Sequence, residues 1–549
     1  MHLTLPAIFN ESVKKHRNSN AYAVVGETPI TYGEVEKRVK ALMAFFEKLS
    51  IKPGDKVAIL SHNIPNWGIS YFAITSMGAI AVPLLPDFSA EEIENILNHS
   101  EAKAILVSSA QLNKLESITS PSLESKLAIE DFSLLSPGKE TIEYNPDEQS
   151  AKDYQVEGDD LAAIIYTSGT TGRSKGVMLT HKNIVSNAYG GKAIQNIDEN
   201  DRFLSILPLS HTYENTLGLV LPILGGSCVY YIGKTPTPSV LLPALKQVRP
   251  TMMLSVPLII EKIYRNKVLP TFHNKWHTRL LYQIPSVRKK LNLLAGKKLY
   301  RTFGGELKFF GIGGAKLDKQ VEKFLREARF PYAIGYGLTE TSPLLAGANA
   351  QTTRLQSTGP AVEGVQLKIH NPDSRTGEGE IWAKGPNVMK GYYKDPEQTA
   401  EVLSDDGWFK TGDLGVFDEN GFLYIKGRLK NMIVGSNGEN IYPEEIESVI
   451  NNFRHVVESL VVEKKGKLVA LVHFNKEELE KRYHHIKDDV THYVEQKVED
   501  LKKELHEHIN TRVNRFSKIH QIFQQSSPFE KTATHKIKRF LYHNKENNK

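Results

Sequence analysis

The sequence predicts an α/β protein. A large N-terminal domain of helix-covered parallel sheets with a small antiparallel subdomain precedes a smaller α+β C-terminal domain. Three observations carry this expectation. A chain of 549 residues exceeds what one hydrophobic core usually serves. Its first four hundred residues or so alternate β-rich runs with helical patterns. After the stretch that begins at Gly427 the pattern restarts with a helix, two strands and a long charged segment.

The elements follow in order. KVAIL reads as a strand, NWGISYFAITSMG as a helix and AIAVPL as a strand. AEEIENILNHS is an amphipathic helix opened by Ser89 with Glu92 three residues on, the spacing of a capping box, and AKAILVSS is the next strand. Between residues 355 and 427 short strands and turns such as VQLKIHNPDSRTGEGEIWAKG predict the antiparallel subdomain. In the C-terminal unit EEIESVINN is a helix, and VESLVVEK and KLVALVHF are strands. A helical insertion is expected at about 475–516. There Leu479, Tyr483, Ile486, Val490, Val494, Val498, Leu501, Leu505, Ile509, Val513 and Phe516 form one apolar stripe, predicted to pack on its own domain in preference to a coiled-coil partner. His484, His485 and His492 in this segment fit a solvated helix face better than a metal site.

Composition narrows the function classes. With 40% apolar and 24% charged residues the chain is of ordinary globular type. Its lone cysteine, Cys228, excludes an internal disulfide framework and a CxxC metal site and is expected to be buried. MHLTLPAIFNESVKKHR lacks the cationic start and cleavage pattern of a secretory signal. The apolar stretches at 69–85 and 217–233 are interrupted by Pro, Gly or Ser and read as a buried helix entering a strand. A cytoplasmic setting is therefore expected. Net charge is +6, unevenly spread: from Lys262 to Lys308 the only acid is Glu306. That stretch is either a solvated helix face or a surface for phosphates or anionic lipid, which would make the protein peripheral to the inner face of a membrane. No nucleic-acid motif is present.

Residues 166–176, YTSGTTGRSKG, crowd hydroxyls, glycines and cations into one loop. A Walker loop would need Ser or Thr after the lysine and then a helix, but Lys175 is followed by Gly176 and the β-like VMLT. The same stretch contains a formal GxSxG from Gly172 to Gly176, which makes a serine hydrolase with Ser174 as nucleophile the remote alternative. That elbow also requires a helix directly after the strand. What fits is a strand–loop–strand tip whose backbone N–H groups, hydroxyls and lysine cradle a polyphosphate.

The loop resembles the signature of the adenylate-forming enzymes, and companion motifs stand in the order that this family shows. They are LPLSHTYE (207–214), GIGGAKL (311–317), GYGLTETSP (335–343), GEIWAKGPNVMKGYYKDPEQT (379–399), WFKTGDLG (408–415), GRLKNMIVGSNGENIYPEEIE (427–447) and KTATHKIKR (531–539). The resemblance is closest to the AMP-forming long-chain fatty-acid–CoA ligases. It implies a two-step reaction: acid and ATP give acyl-adenylate and pyrophosphate, and a thiol then displaces AMP.

The resemblance also implies roles for residues. Thr167, Ser168, Gly169, Thr170, Thr171, Gly172 and Lys175 would hold the phosphates. Tyr336, with Gly337 beside it, would stack on adenine, Thr339 would bond the α-phosphate, and Glu340 with Thr167 would ligate Mg²⁺. Gly313, Gly314 and Ala315 would form the adenine wall, and Asp413 and Arg428 would take the ribose. Lys536 would be the adenylation lysine, although His535 stands where the usual pattern has Gly. Lys430 would be the hinge between a domain at 1–429 and a mobile one at 430–549, whose rotation brings Gly438 and Glu439 to the thiol channel. His211 would gate the acyl carboxylate, with a structural histidine as its competing reading.

LPLSHTYE and the insertion at 475–516 resemble the long-chain group, so a medium- or long-chain fatty acid is the expected substrate and CoA the expected acceptor, with acyl carrier protein as the alternative. LGLVLPILGG could line an acyl tunnel or be ordinary core. An adenylate-binding pseudoenzyme would share the fold, but the set of retained site residues argues against it. Chain length, a homodimer and membrane contact are left open by the sequence.

Overall fold

The computed structural model describes residues 2–135, 143–150, 152–168, 174–273, 276–434, 439–464, 466–476, 480, 490–532 and 536–543. Two seven-stranded sheets form the body of the large unit. One runs in the order Tyr332–Ile334, Phe309–Ile312, Met252–Ser255, Arg202–Ser205, Cys228–Tyr231, Asn20–Val24, Ile30–Thr31, and is parallel except at its last pair. In the other, Gly391–Tyr392, Ser174–Thr180 and Leu161–Ser168 precede Ile80–Leu84, Lys56–Leu60, Ala104–Val107 and Ser125–Ala128.

Alternation along a strand explains why KVAIL has no polar face. Val57 and Ile59 enter one apolar core while Ala58 and Leu60 enter another on the opposite side of the sheet, as expected for a parallel sheet covered on both faces. Helix Ala90–Ser100 closes the second core with Ile93, Ile96 and Leu97. Its capping box is complete: the Glu92 N–H donates to Ser89 Oγ at 3.2 Å, and the Ser89 N–H donates to Glu92 Oε2 at 2.8 Å. The two long apolar stretches are a buried helix entering a strand, as predicted: Pro65–Ser76 leads to Ile80–Leu84, and the helical run from Thr212 to Gly225 leads to Cys228–Tyr231. Cys228 is buried. Among the described residues no helix is long and apolar enough to cross a membrane.

Four antiparallel strands, Gln366–His370, Gly379–Lys384, Phe409–Phe417 and Leu423–Arg428, form the predicted subdomain. In the C-terminal unit Val456–Lys464 and Lys467–Phe474 pair antiparallel, and a third strand, Gln521–Gln524, adds in parallel to the second. The sequence reading missed this third strand because QIFQ is too short to show a period. Among the described residues the charged segment contains helix Val490–Asn510, within the predicted insertion. Val494, Val498, Leu501, Leu505 and Ile509 of the stripe fill the core of their own unit. Leu479, Tyr483, Ile486, His484 and His485 lie outside the described residues, as does the side chain of His492.

Candidate functional site

The two ends of the YTSGTTGRSKG stretch lie on paired strands. Leu161–Ser168 and Ser174–Thr180 pair antiparallel, with Thr167 opposite Lys175 and Ser168 opposite Ser174. Ser174 therefore opens a strand, and the helix that a nucleophile elbow requires begins only at His181. Gly169, Thr170, Thr171 and Gly172 lie outside the described residues. A short strand, Gly391–Tyr392, adds to Ser174–Thr180 and brings in an aromatic ring. The Lys175 ammonium lies 5.0 Å from the centre of the Tyr392 ring, and the Tyr392 hydroxyl donates to Glu340 Oε1 at 2.9 Å. Burial, reinforced by the Glu340 carboxylate, pushes the Tyr392 hydroxyl far above the ordinary tyrosine pKa, so it stays a donor.

Glu340 sits in the turn Thr339–Thr341, just past strand Tyr332–Ile334 at its carboxyl end, where parallel sheets place their ligands. Tyr336–Gly337 pairs back onto Leu344–Ala346 so closely that a Cβ on Gly337 would stand 1.8 Å from the Pro343 carbonyl oxygen. Only glycine fits there. Thr339 and Glu340 are half-buried.

Asp413 and Arg428 are direct cross-strand partners, which is why their side chains meet. Arg428 Nε lies 3.1 Å from Asp413 Oδ1, and Arg428 Nη1 donates to the Thr411 carbonyl at 2.8 Å. The Tyr336 hydroxyl donates to Asp413 Oδ2 at 2.8 Å, and the Asp413 N–H donates to Thr411 Oγ1 at 3.1 Å. Burial raises the Asp413 pKa against the opposing pull of Arg428 and Tyr336. Lys430 is exposed in the single turn Leu429–Asn431 that follows.

Lys536 comes to this place from the C-terminal unit. A local bridge between Lys531 and Ile537 shapes its turn, with the Thr532 N–H donating to the Lys536 carbonyl at 2.8 Å. Lys536 as a whole is exposed. Burial and then the Arg428 cation lower its pKa, while Asp413 and Glu340 pull the other way. The ammonium thus stands within electrostatic range of three predicted site residues. Contacts between the units accompany this placement. Arg375 donates to both Glu439 oxygens at 3.1 Å, Tyr442 donates to Glu378 Oε2 at 2.7 Å, Lys316 lies 3.1 Å from Glu445, and Asn452 donates to Asp318. Glu439 is therefore held by Arg375 on the large unit. Gly438 lies outside the described residues.

Behind this polar group lies an apolar pocket lined by Tyr213, Leu217, Leu221, Met253, Leu254 and Phe309. Gly313 packs against one of its lining residues: a Cβ there would stand 3.1 Å from the Tyr213 ring. Gly314 follows with φ +84, and Gly314 and Ala315 are exposed. His211, half-buried, caps the turn Thr212–Glu214. In the LGLVLPILGG segment Leu217 and Leu221 line this apolar pocket, while Leu219, Val220 and Ile223 enter the core.

Family models for the AMP-binding enzyme match residues 9–393, and for the AMP-binding enzyme C-terminal domain residues 430–545. The chain belongs to the AMP-binding enzyme family. This AMP-binding enzyme is 30% identical over 499 residues to the long-chain-fatty-acid–CoA ligase heimdall of Drosophila melanogaster, covering 81% of this chain and 72% of the relative. It is 29% identical to the long-chain-fatty-acid–[acyl-carrier-protein] ligase AEE15, chloroplastic, of Arabidopsis thaliana, covering 87% and 77%. In fold it is similar to the o-succinylbenzoate coenzyme A synthetase of Bacillus subtilis in complex with AMP, with TM-score 0.75, 23% identity, and 99% and 98% of the two chains covered.

Sequence reasoning missed two residues of the AMP-binding enzyme that stand in the predicted site motifs. Tyr392 lies within the quoted GYY stretch, and an aromatic in a recognised motif was the available signal. Glu214, the last residue of LPLSHTYE, is fully enclosed. The Ser205 hydroxyl donates to its Oε1 at 2.6 Å, Oε2 has no partner among the described residues, and burial pushes its pKa up to about 8. A folded-state pKa above the unfolded value means that the folded chain keeps a proton which the unfolded chain has lost. This contribution is present below the ordinary glutamate pKa and is lost as pH rises towards 8. The loss is about 1 kcal/mol per pH unit. Glu214→Gln is expected to flatten the fall of thermal stability across neutral pH, and an unchanged slope in the variant would count against a buried acid.

Proposed function

We propose that this chain activates a medium- or long-chain fatty acid with ATP to an acyl-adenylate, releasing pyrophosphate, and then transfers the acyl group to CoA, releasing AMP. The observation that carries this is the pairing of Arg428 with Asp413 and the electrostatic reach of Lys536 to both and to Glu340, four residues from four separate motifs, together with an apolar pocket. A carboxylate resists attack because it already carries the charge that attack would increase. Joining it to AMP supplies a leaving group, so no enzyme nucleophile is required.

In this reading Lys536 stabilises the charge gathering between the acid and the α-phosphate. Asp413, an acceptor with two oxygens, takes the ribose hydroxyls, assisted by Arg428. Tyr336 borders adenine, Thr339 meets the α-phosphate, and the 167–175 stretch, with its lysine, meets the terminal phosphates. His211 would gate the acyl carboxylate, and the apolar pocket lined by Tyr213 and Leu217 would take the chain. The residues fit Mg²⁺: Thr167 and Glu340 offer hard oxygens, and no described protein group occupies Glu340 Oε2. The ion would offset polyphosphate charge. Rotation of residues 430–549 about Lys430 would release Glu439 from Arg375, withdraw Lys536 and admit the thiol.

The relatives include both CoA and acyl-carrier-protein ligases, so acyl carrier protein is the second acceptor to test. Purified protein with ATP, Mg²⁺ and a fatty-acid series is expected to release pyrophosphate, and to form a thioester with CoA. Absence of pyrophosphate with every fatty acid would overturn the proposal, and thioester on carrier protein alone would reassign the acceptor. Ester cleavage that disappears in Ser174→Ala would instead support a hydrolase.

A further inference from the structure

We propose that the helical excursion at 276–302 is a docking surface for an anionic lipid bilayer. Helix Trp276–Gln283 buries none of its residues. Its inward side is anchored by Tyr282, which stacks on Phe272 at 4.9 Å and donates to Asn292 at 2.9 Å. On the other side Trp276, Leu280 and Ile284 recur every four residues and are 77%, 57% and 47% exposed, with Leu281 beside them at 46%. Large apolar side chains grouped on a surface in this way mark an interaction site.

The next helix, Pro285–Thr302, supplies charge. Asn292, Gly296 and Leu299 face the body, and the opposite face carries Lys290, Leu294, Lys297 and Arg301 at helical spacing, flanked by Lys289 and Lys298. Arg288 is paired with Glu327 at 3.0 Å. None of the other six cations named here and on the preceding helix at Arg279 makes an ion pair among the described residues, and no acid occurs from 262 to 305.

An apolar face with an indole, bordered by unpaired Lys and Arg, is the pattern of a helix lying at the headgroup level. The cations are spread along the helix without a cleft, which suits a diffuse field of lipid phosphates better than one folded acidic partner. Placement supports this choice. The excursion connects strands Met252–Ser255 and Phe309–Ile312, neighbours in the sheet, whose Met253, Leu254 and Phe309 line the apolar pocket. The bilayer would therefore be met by the connection between two walls of that pocket. The surface goes beyond the proposed reaction and does not depend on it.

The full chain is mixed with phosphatidylcholine vesicles with or without phosphatidylglycerol, at low and high salt, and sedimented. Binding is expected only with phosphatidylglycerol at low salt, weakened roughly fivefold for each of Lys290→Ala and Lys297→Ala. Trp276→Ala combined with Leu280→Ala should weaken it further. Brominated lipid is expected to quench the wild-type fluorescence, and Trp276→Phe should still sediment with the quenching lost. These side chains are exposed, so unchanged thermal unfolding checks that each variant is folded. Absence of sedimentation, or sedimentation indifferent to these substitutions, would overturn the proposal. So would capture of an acidic carrier protein through the same residues without vesicle binding. Sedimentation needs no turnover, so its result is separate from that of the pyrophosphate assay.

Discussion

Lys536→Ala is expected to lower pyrophosphate release from ATP and a fatty acid by roughly 10²- to 10³-fold, the range for losing one group that stabilises developing charge. Transfer of the acyl group from supplied acyl-adenylate to CoA should survive, because the proposed rotation removes Lys536 from the site before that step. The lowered pKa of Lys536 gives a second readout. The ammonium form is needed, and its proton leaves at lower pH than from an ordinary lysine. Adenylation should therefore fall on the alkaline side earlier than transfer does. Equal loss of both half-reactions in the alanine variant would instead assign Lys536 a structural part.

Asp413→Ala is expected to raise the KM for ATP strongly while also loosening the fold. Two hydrogen bonds from the ribose to a charged acceptor are lost, each contributing about 1.5–3 kcal/mol. The Arg428 guanidinium and the Tyr336 hydroxyl lose their shared acceptor as well. Arg428 reaches solvent, so the stability loss is expected near the low end of the range for a broken pair, about 1–3 kcal/mol. Asp413→Asn keeps the shape and one acceptor oxygen, and should recover most of the stability but only part of the ATP affinity. A fall in thermal stability with an unchanged KM for ATP would mark Asp413 as structural alone.

Much of this architecture was legible because its causes are local. The Ser89–Glu92 capping box, the two-sided burial of KVAIL and the strand that follows Gly176 each depend on residues within a few positions of one another. The same holds for the stripe from Val494 to Ile509, where a period of three to four residues sufficed to predict a helix packed on its own unit. Strand Gln521–Gln524 escaped because its partner lies 52 residues away at Val469 and nothing in QIFQ announces that pairing.

The site divides along the same line. By itself the sequence determined which chemical groups are present and in what order: the hydroxyl-rich loop, Glu340, Asp413, Arg428 and Lys536. The tertiary structure alone decided which of them meet. Asp413 touches Arg428 because strand register sets them opposite. Tyr392 joins Lys175 to Glu340 because a short edge strand pairs with Ser174–Thr180. Glu214 becomes a buried acid, and Trp276 an exposed indole, through the packing of elements distant in the chain. Propensity and spacing act over a few residues, whereas burial, charge pairing and pKa depend on every atom that folding brings near, and those neighbours have no local signature.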